Sequence, residues 1–314
     1  MKDKNMKKEN LQGVFSPVIT PFNRDFTVDH EKLANQCEWL ISQEVGLAIF
    51  GTNSEANSLS VDEKIFLLDK VIDYGIDPGK LMPGTGCCSM TDTINLTKHA
   101  VKVGCAGVLM LPPFYYKAVD DDGLFKYFSN IIESVNDERL RIYLYHIPPI
   151  AMVGISLKLI EALLKKFPNT IAGIKDSSGD WNNTQQMLNE KWDNFGIFAG
   201  SESFLLKTMQ QGGAGCISAT ANINPRNIYN VYKNWQKSNA SYMQEEIDRV
   251  RSIVQKYPLI PALKSIVSHF HEDSGWNILR PPLKELHPNE SKKLIAELEA
   301  INFKIDHSTL DISL

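Results

Sequence analysis

The run Ile171-Ala172-Gly173-Ile174-Lys175-Asp176-Ser177-Ser178 places an amine inside an otherwise apolar strand-like segment. Side chains of an extended segment alternate faces, so Ile171, Gly173 and Lys175 are expected on one side, Ala172 and Ile174 on the other. Parallel sheets are covered on both faces, which would hold Lys175 away from bulk water. Burial disfavours an ammonium ion and prepares an amine to attack a ketone. The competing reading is a strand-end lysine whose head reaches solvent along its alkyl stem. Tyr145 shares an expected strand face with Tyr143 and Ile147, on the element one unit before Lys175. A phenol there could move the protons that such an attack requires, or it could be a buried tyrosine bonded to backbone. The third chemical stretch is the polar turn Gly51-Thr52-Asn53-Ser54-Glu55.

Strand and helix patterns alternate through most of the chain. Strands are expected at residues 14–22, 46–50, 81–86, 106–111, 142–148, 171–176, 195–200 and 215–220. Helices lie between them, one opened by Asp29 and another by the capping box formed by Ser60 and Glu63. A further helix has Pro225 at its first position. About eight strand–helix units at a spacing of roughly 25–30 residues fit a (β/α)8 TIM barrel better than an open sheet. A doubly wound dinucleotide fold is rejected, because Gly84-Thr85-Gly86 lacks the third glycine and the downstream acid. Beyond about Ser241 the pattern is helical only. The expected organisation is a frayed tail over 1–10, the barrel over 11–238 and a C-terminal helical extension over 239–314.

Barrel active sites lie at the C-terminal ends of the strands. The polar residues concentrate at those ends: Thr20, Thr52 to Glu55, Thr85, Tyr115 and Tyr116, Tyr145 and His146, Lys175 and Asp176, Ser201 and Glu202, and Ser218. With those ends assigned, the chain resembles the dihydrodipicolinate synthase/N-acetylneuraminate lyase family of pyruvate-dependent, Schiff-base-forming aldolases. The resemblance runs from Val14 through Asn224 and more loosely beyond. It rests on three motifs in order. Gly51-Thr52-Asn53-Ser54-Glu55 is similar to the family's carboxylate-holding Gly-[Thr/Ser]-Thr-Gly-Glu loop. Tyr145-His146-Ile147-Pro148 is similar to its Tyr-Asn-Xaa-Pro motif, and Gly173-Ile174-Lys175-Asp176 to its lysine strand. Two weaker echoes are Gly213 to Ala219 and Pro113-Phe114-Tyr115-Tyr116.

The resemblance implies class I lyase/aldolase chemistry. Lys175 would form an imine with pyruvate or another 2-keto acid, and Tyr145 would shuttle the proton, with Thr52 and Tyr116 as relay. Tyr116 would act in the site of a neighbouring subunit, so a dimer, or a tetramer built of two dimers, is implied. Gly51, Thr52 and Asn53 would hold the carboxylate; Gly200 and Ile217 would line the site; His146 and Glu202 would meet polar parts of the substrate. No organic cofactor or metal is expected. Ile150 falls where synthases of the family carry an arginine for an acidic aldehyde. The substrate preference is therefore a 2-keto acid of the 2-keto-3-deoxy sugar acid type, cleaved to pyruvate and an aldehyde or formed in reverse. The alternatives are 4-hydroxy-tetrahydrodipicolinate synthase, a dehydratase using the same imine, and a non-catalytic 2-keto-acid sensor or scaffold. For Glu202 a second reading stays open, that of a glutamate favoured by a helix N-terminus.

Composition narrows the setting. A net charge of -4 and a pI near 6.0 argue against a nucleic-acid-binding surface. No apolar run approaches the roughly 20 residues of a membrane span. Residues 1–10 are charged with no apolar stretch behind them, so no secretory signal is expected. The cysteines, Cys37, Cys87, Cys88, Cys105 and Cys216, are odd in number and without paired metal spacing, which points to a reducing cytoplasm. His269 and His271, two apart on a helix, point to different sides and are expected at the surface.

Overall fold

The computed structural model describes residues 10–305. Residues 1–9 of the expected frayed tail 1–10, and residues 306–314, lie outside them. The strands are β1 (Gly13–Ser16), β2 (Gly46–Leu47), β3 (Val108–Met110), β4 (Ile142–His146), β5 (Ile171–Asp176), β6 (Gly196–Ala199) and β7 (Gly215–Ile217). All pair in parallel, in the order β2-β1-β7-β6-β5-β4-β3. The expected third strand closes the ring as two isolated parallel bridges, Leu47 with Leu81 and Gly84 with Leu109. Its ladder is broken because Pro83 has no N–H to donate. It also runs unusually close to its neighbours: a Cβ on Gly84 would lie 2.0 Å from the Phe50 carbonyl oxygen. The expected second strand stops after Leu47, and Phe50 turns into the left-handed region at φ 60°.

Around the ring lie α1 (His30–Ser42), α2 (Val61–Asp73), α3 (Met90–Lys102), α4 (Asp121–Val135), α5 (Pro148–Ala151), α6 (Leu157–Lys166), α7 (Trp181–Asn189), α8 (Leu205–Gln210) and α9 (Pro225–Asn234). Their starts follow the side-chain chemistry. Asp29, Ser60, Ser89, Asp120, Ser156 and Asp180 each accept a backbone N–H of the first turn, and Ser60 and Glu63 complete a capping box. Three more helices follow: α10 (Ala240–Val254), α11 (Leu259–Phe270) and α12 (Pro288–Ala300). The outer core fills the space between sheet and helices. The ring encloses a second cluster with Phe15, Ala48, Met82, Leu109, Tyr143, Tyr145, Phe198 and Ile217.

The alternation expected along 171–176 holds from Gly173 to Asp176 and fails before it. The pairing of β4 with β5 shifts between Ile142 and Tyr143, so Ile142 faces Ile171 while Tyr143 faces Gly173. One residue is therefore extra on β5, and a bulge of this kind re-aims side chains on either side of it. Ile171 packs with Ile174 in the outer core, contrary to the simple alternation, and Lys175 keeps the inward position.

The segment after α11 is tied back to the barrel by Arg280. Its guanidinium donates to the carbonyls of Phe26 and Ser58 and pairs with Glu63 at 2.5 Å. The Arg280 hydrogen bond holds the Glu63 carboxyl well below its ordinary range, at about 2. A carboxyl depressed on folding stabilises the fold above its unfolded pKa and loses that contribution as pH falls through the folded value. Glu63→Gln should lower the melting temperature at pH 7. The difference from the parent protein should shrink as pH drops from about 4.5 towards about 2. A constant difference across that window, measured by thermal unfolding, would remove this assignment.

Candidate active site

Tyr145 and Lys175 are direct partners across the β4–β5 pair. Both are buried, each with 2% of its surface exposed. The Lys175 nitrogen lies 4.3 Å from the Tyr145 ring centroid. The Tyr145 hydroxyl lies 3.2 Å from Thr52 Oγ1, which arrives from the loop after β2. Amine, phenol and hydroxyl therefore stand in one continuous array built from three different strand ends. They line a cavity of 190 Å³ with Asn53, Ile147, Ile150, Ser177, Gly200, Ser201 and Leu259 among its other walls. Room for the tyrosines is made by glycine. A Cβ on Gly173 would stand 2.8 Å from the Tyr143 ring and 2.3 Å from the Gly196 carbonyl oxygen.

The loop carrying Thr52 is two short 3-10 turns, Thr52–Ser54 and Ala56–Ser58, joined at Glu55 with φ 55°. Gly51 N–H donates to Ser54 Oγ, so this glycine closes the loop on itself instead of facing the cavity. Glu55 turns away from the cavity and pairs with Lys264 of α11 at 2.5 Å, both side chains fully buried. Lys264 also donates to the Ile278 carbonyl at 2.7 Å, and burial, opposed by Glu55, pushes its ammonium down to about 8. Asp176 anchors the opposite side. Its carboxylate accepts from the Ser178 N–H, Asn183 and Thr184, fixing the turn that follows Lys175.

Not every expected residue reaches the cavity. His146 follows Tyr145 and therefore faces the other side of the sheet, where Nδ1 accepts the Ile155 N–H at 2.9 Å. Burial lowers its pKa against the pull of Asp176. Glu202 is also turned away. It is 1% exposed, accepts the hydroxyls of Ser218 and Thr220, and pairs with Arg251 at 3.3 Å. It follows the end of β6 in a 3-10 turn, where strand alternation no longer sets direction. Ile217 is packed inside the ring rather than on the cavity wall. Tyr116 is 73% exposed and packs edge-to-face on Tyr115, outside this cavity. Sequence reasoning missed Arg251 and Leu259, which the extension contributes to the wall, and Lys264 behind it.

Breaking a buried ion pair by removing one partner costs about 3–5 kcal/mol. Glu202→Gln should therefore lower thermal stability measurably while leaving substrate KM little changed. A large KM effect with unchanged melting would restore Glu202 as a substrate-binding residue.

Comparison with known proteins finds relatives over most of the chain. The model of the dihydrodipicolinate synthetase family matches residues 10–301. A protein of Chloroflexus aurantiacus named an uncharacterized DapA-like lyase is 32% identical over 295 residues, spanning 92% of this chain and 97% of the relative. The solved dihydrodipicolinate synthase of Agrobacterium tumefaciens superposes with a TM-score of 0.85 at 30% identity, covering 92% of this chain and 99% of that one. A variant of the 2-keto-3-deoxygluconate aldolase of Sulfolobus solfataricus does so with a TM-score of 0.82 at 25% identity, covering 92% and 96%.

Proposed function

Since the chain belongs to the dihydrodipicolinate synthetase family and is an enzyme of its lyase/aldolase class, we propose that it cleaves or forms a carbon–carbon bond of a 2-keto acid through an imine on Lys175. The observation that carries this reading is the array of Lys175, Tyr145 and Thr52 in one buried cavity. The unprotonated amine attacks the C2 ketone of a 4-hydroxy-2-keto acid, and the carbinolamine loses water to give a protonated imine. Tyr145 takes the C4 hydroxyl proton as the C3–C4 bond breaks, and the electron pair flows into the imine. An aldehyde leaves, an enamine remains, and Tyr145 returns the proton to C3. Water then hydrolyses the imine and releases pyruvate. The protonated imine is itself the electron sink, so the reaction needs neither metal nor organic cofactor.

Thr52 and Asn53 open a 3-10 turn whose first N–H groups have no partner within the turn, which suits them to a carboxylate. Tyr116 would complete the relay from a neighbouring copy, which makes a homodimer or a tetramer of dimers part of this proposal. The free cysteines support a cytoplasmic setting. The sugar-acid preference loses the hydroxyl partner expected in Glu202 and keeps the apolar Ile150 at the cavity wall.

A second reading, condensation of pyruvate with aspartate semialdehyde, is supported by Arg251. This cation lines the cavity, with Nη1 paired to Glu202 at 3.3 Å. It could take the aldehyde's carboxylate in place of an arginine at position 150. A sensor or scaffold without catalysis would have no use for a proton relay beside its amine.

Borohydride trapping with pyruvate and peptide mass spectrometry should yield a reduced adduct on Lys175, absent in Lys175→Ala. No adduct on the folded protein would end both the aldolase and the synthase readings. Tyr145→Phe should reduce kcat by about 10²–10⁴-fold while adduct formation stays detectable. Ile150→Arg should raise kcat/KM for aspartate semialdehyde by about 10- to 100-fold, from a charge-assisted bond of about 1.5–3 kcal/mol. An unchanged value would sink the argument from the missing cation.

A further inference from the structure

The catalytic cavity does not end at Ile150 and Leu259. Those two residues, with Thr52 and Asn53, also line a larger cavity of 700 Å³ formed against the C-terminal extension. The inner space of 190 Å³ lies below the range of about 300–1,000 Å³ usual for small-molecule sites, and the two spaces together fall within it. A substrate held by imine at Lys175 would have to extend past C4 towards the outer space that shares these walls.

Most of the walls met there are apolar. Leu259 and Pro261 come from the start of α11, and Pro282, Leu283 and Leu286 from the segment before α12. Ile150 projects from α5 at the mouth with 62% of its surface exposed. The polar residues that line only this outer space, Lys284, Glu285, His287 and Glu290, are all exposed, so their heads can remain in water. A polyhydroxylated tail seated against these walls would surrender hydrogen bonds to water without replacing them, whereas a hydrocarbon tail would shed unfavourable hydration.

We propose that this outer cavity is the subsite for the aldehyde half of the substrate, and that the aldehyde carries an aliphatic or aromatic hydrocarbon chain. The inference rests on the imine reading of the inner cavity. Leu283 and Leu286, outside the reacting array, then set specificity and take no part in the chemistry.

The test measures pyruvate condensation with 3-phenylpropanal, glyceraldehyde and succinic semialdehyde, on full-length protein that first passes the pyruvate–borohydride trap. The kcat/KM for 3-phenylpropanal should exceed that for glyceraldehyde, and for succinic semialdehyde, by about tenfold or more, since a methylene in an apolar pocket is worth about 10-fold or more. Leu283→Gln, Leu286→Gln and the exposed-site variant Ile150→Thr should each pull that ratio towards one, in protein of unchanged oligomeric state. Adduct formation with a ratio at or below one overturns the apolar subsite and leaves the imine reading standing. A preference for succinic semialdehyde does the same and favours an acidic aldehyde. Variants that change the oligomeric state but not the ratio also overturn it, assigning this face to contact between copies. Absence of the pyruvate adduct overturns the subsite and the proposed function together.

Discussion

The ion pair between Glu55 and Lys264 is the contact on which the geometry of the site depends. Two opposite charges with no solvent exposure stand 2.5 Å apart, one on the Thr52 loop and one on α11. Isolated, either charge would be costly to bury. Together they draw on further support: Lys264 bonds the Ile278 carbonyl and lies 4.5 Å from the Phe22 ring centroid, and Glu55 accepts the Arg280 N–H. The loop they hold contains two non-glycine residues at positive φ, Phe50 and Glu55. Such conformations cost about 1–3 kcal/mol each and persist where the surroundings over-determine them. Loss of one partner would cost about 3–5 kcal/mol, because the other charge would be left buried and uncompensated. The pair bridges the strained loop to α11, and with that loop stands the Thr52 hydroxyl beside Tyr145.

The barrel contributes a different kind of constraint. A closed parallel ring has an interior of fixed width, so large inward side chains must be matched by small ones. Tyr143 and Phe198 fill the lower layer, and Gly173 leaves the space that Tyr143 occupies. Tyr143 also accepts the Leu11 N–H at 2.7 Å, which closes the base of the ring. Lys175 is held above this packed floor with Tyr145 alongside. Its position is set by filled volume beneath it and by strand pairing beside it, and neither can shift without opening a void.

Much of this was legible in the sequence, for reasons that also explain what was not. The barrel was readable because its units repeat, with polar caps such as Ser60 and Asp120 marking helix starts. Lys175 and Tyr145 were readable because an amine and a phenol in apolar strands break the expected pattern. His146 could have been assigned by the same logic, since a residue next to an inward tyrosine must face outward. Glu202 could not, because it lies beyond the strand where no period applies. Lys264 did carry a signal: it stands alone among Leu259, Ile260, Ala262, Leu263, Ile266 and Val267, the same contrast that singled out Lys175. Its partner on the far side of the chain was invisible without the fold. Arg251 and Leu286 gave no such contrast, because the docking of α10 and of the segment before α12 is decided by tertiary packing.

The extension is thus more than an appendage on a complete barrel. The groups proposed for chemistry, Lys175, Tyr145 and Thr52, stand on strand ends or on a loop clamped to the ring. The groups proposed to bound the substrate beyond C4, Arg251, Leu259, Leu283 and Leu286, come from the extension, with Ile150 of α5 beside them. A rigid scaffold suits the first set, which must hold reacting atoms within a fraction of an ångström. The second set only has to match the size and polarity of a tail, and substitutions there need not disturb the imine. Lys264 joins the two, because the helix that shapes the outer cavity also clamps the loop of the inner one. The segment before α12 shares in that clamp, since the Ile278 carbonyl accepts from Lys264 and the Arg280 N–H donates to Glu55, so a substitution that repacks either α11 or this segment would be felt at Thr52.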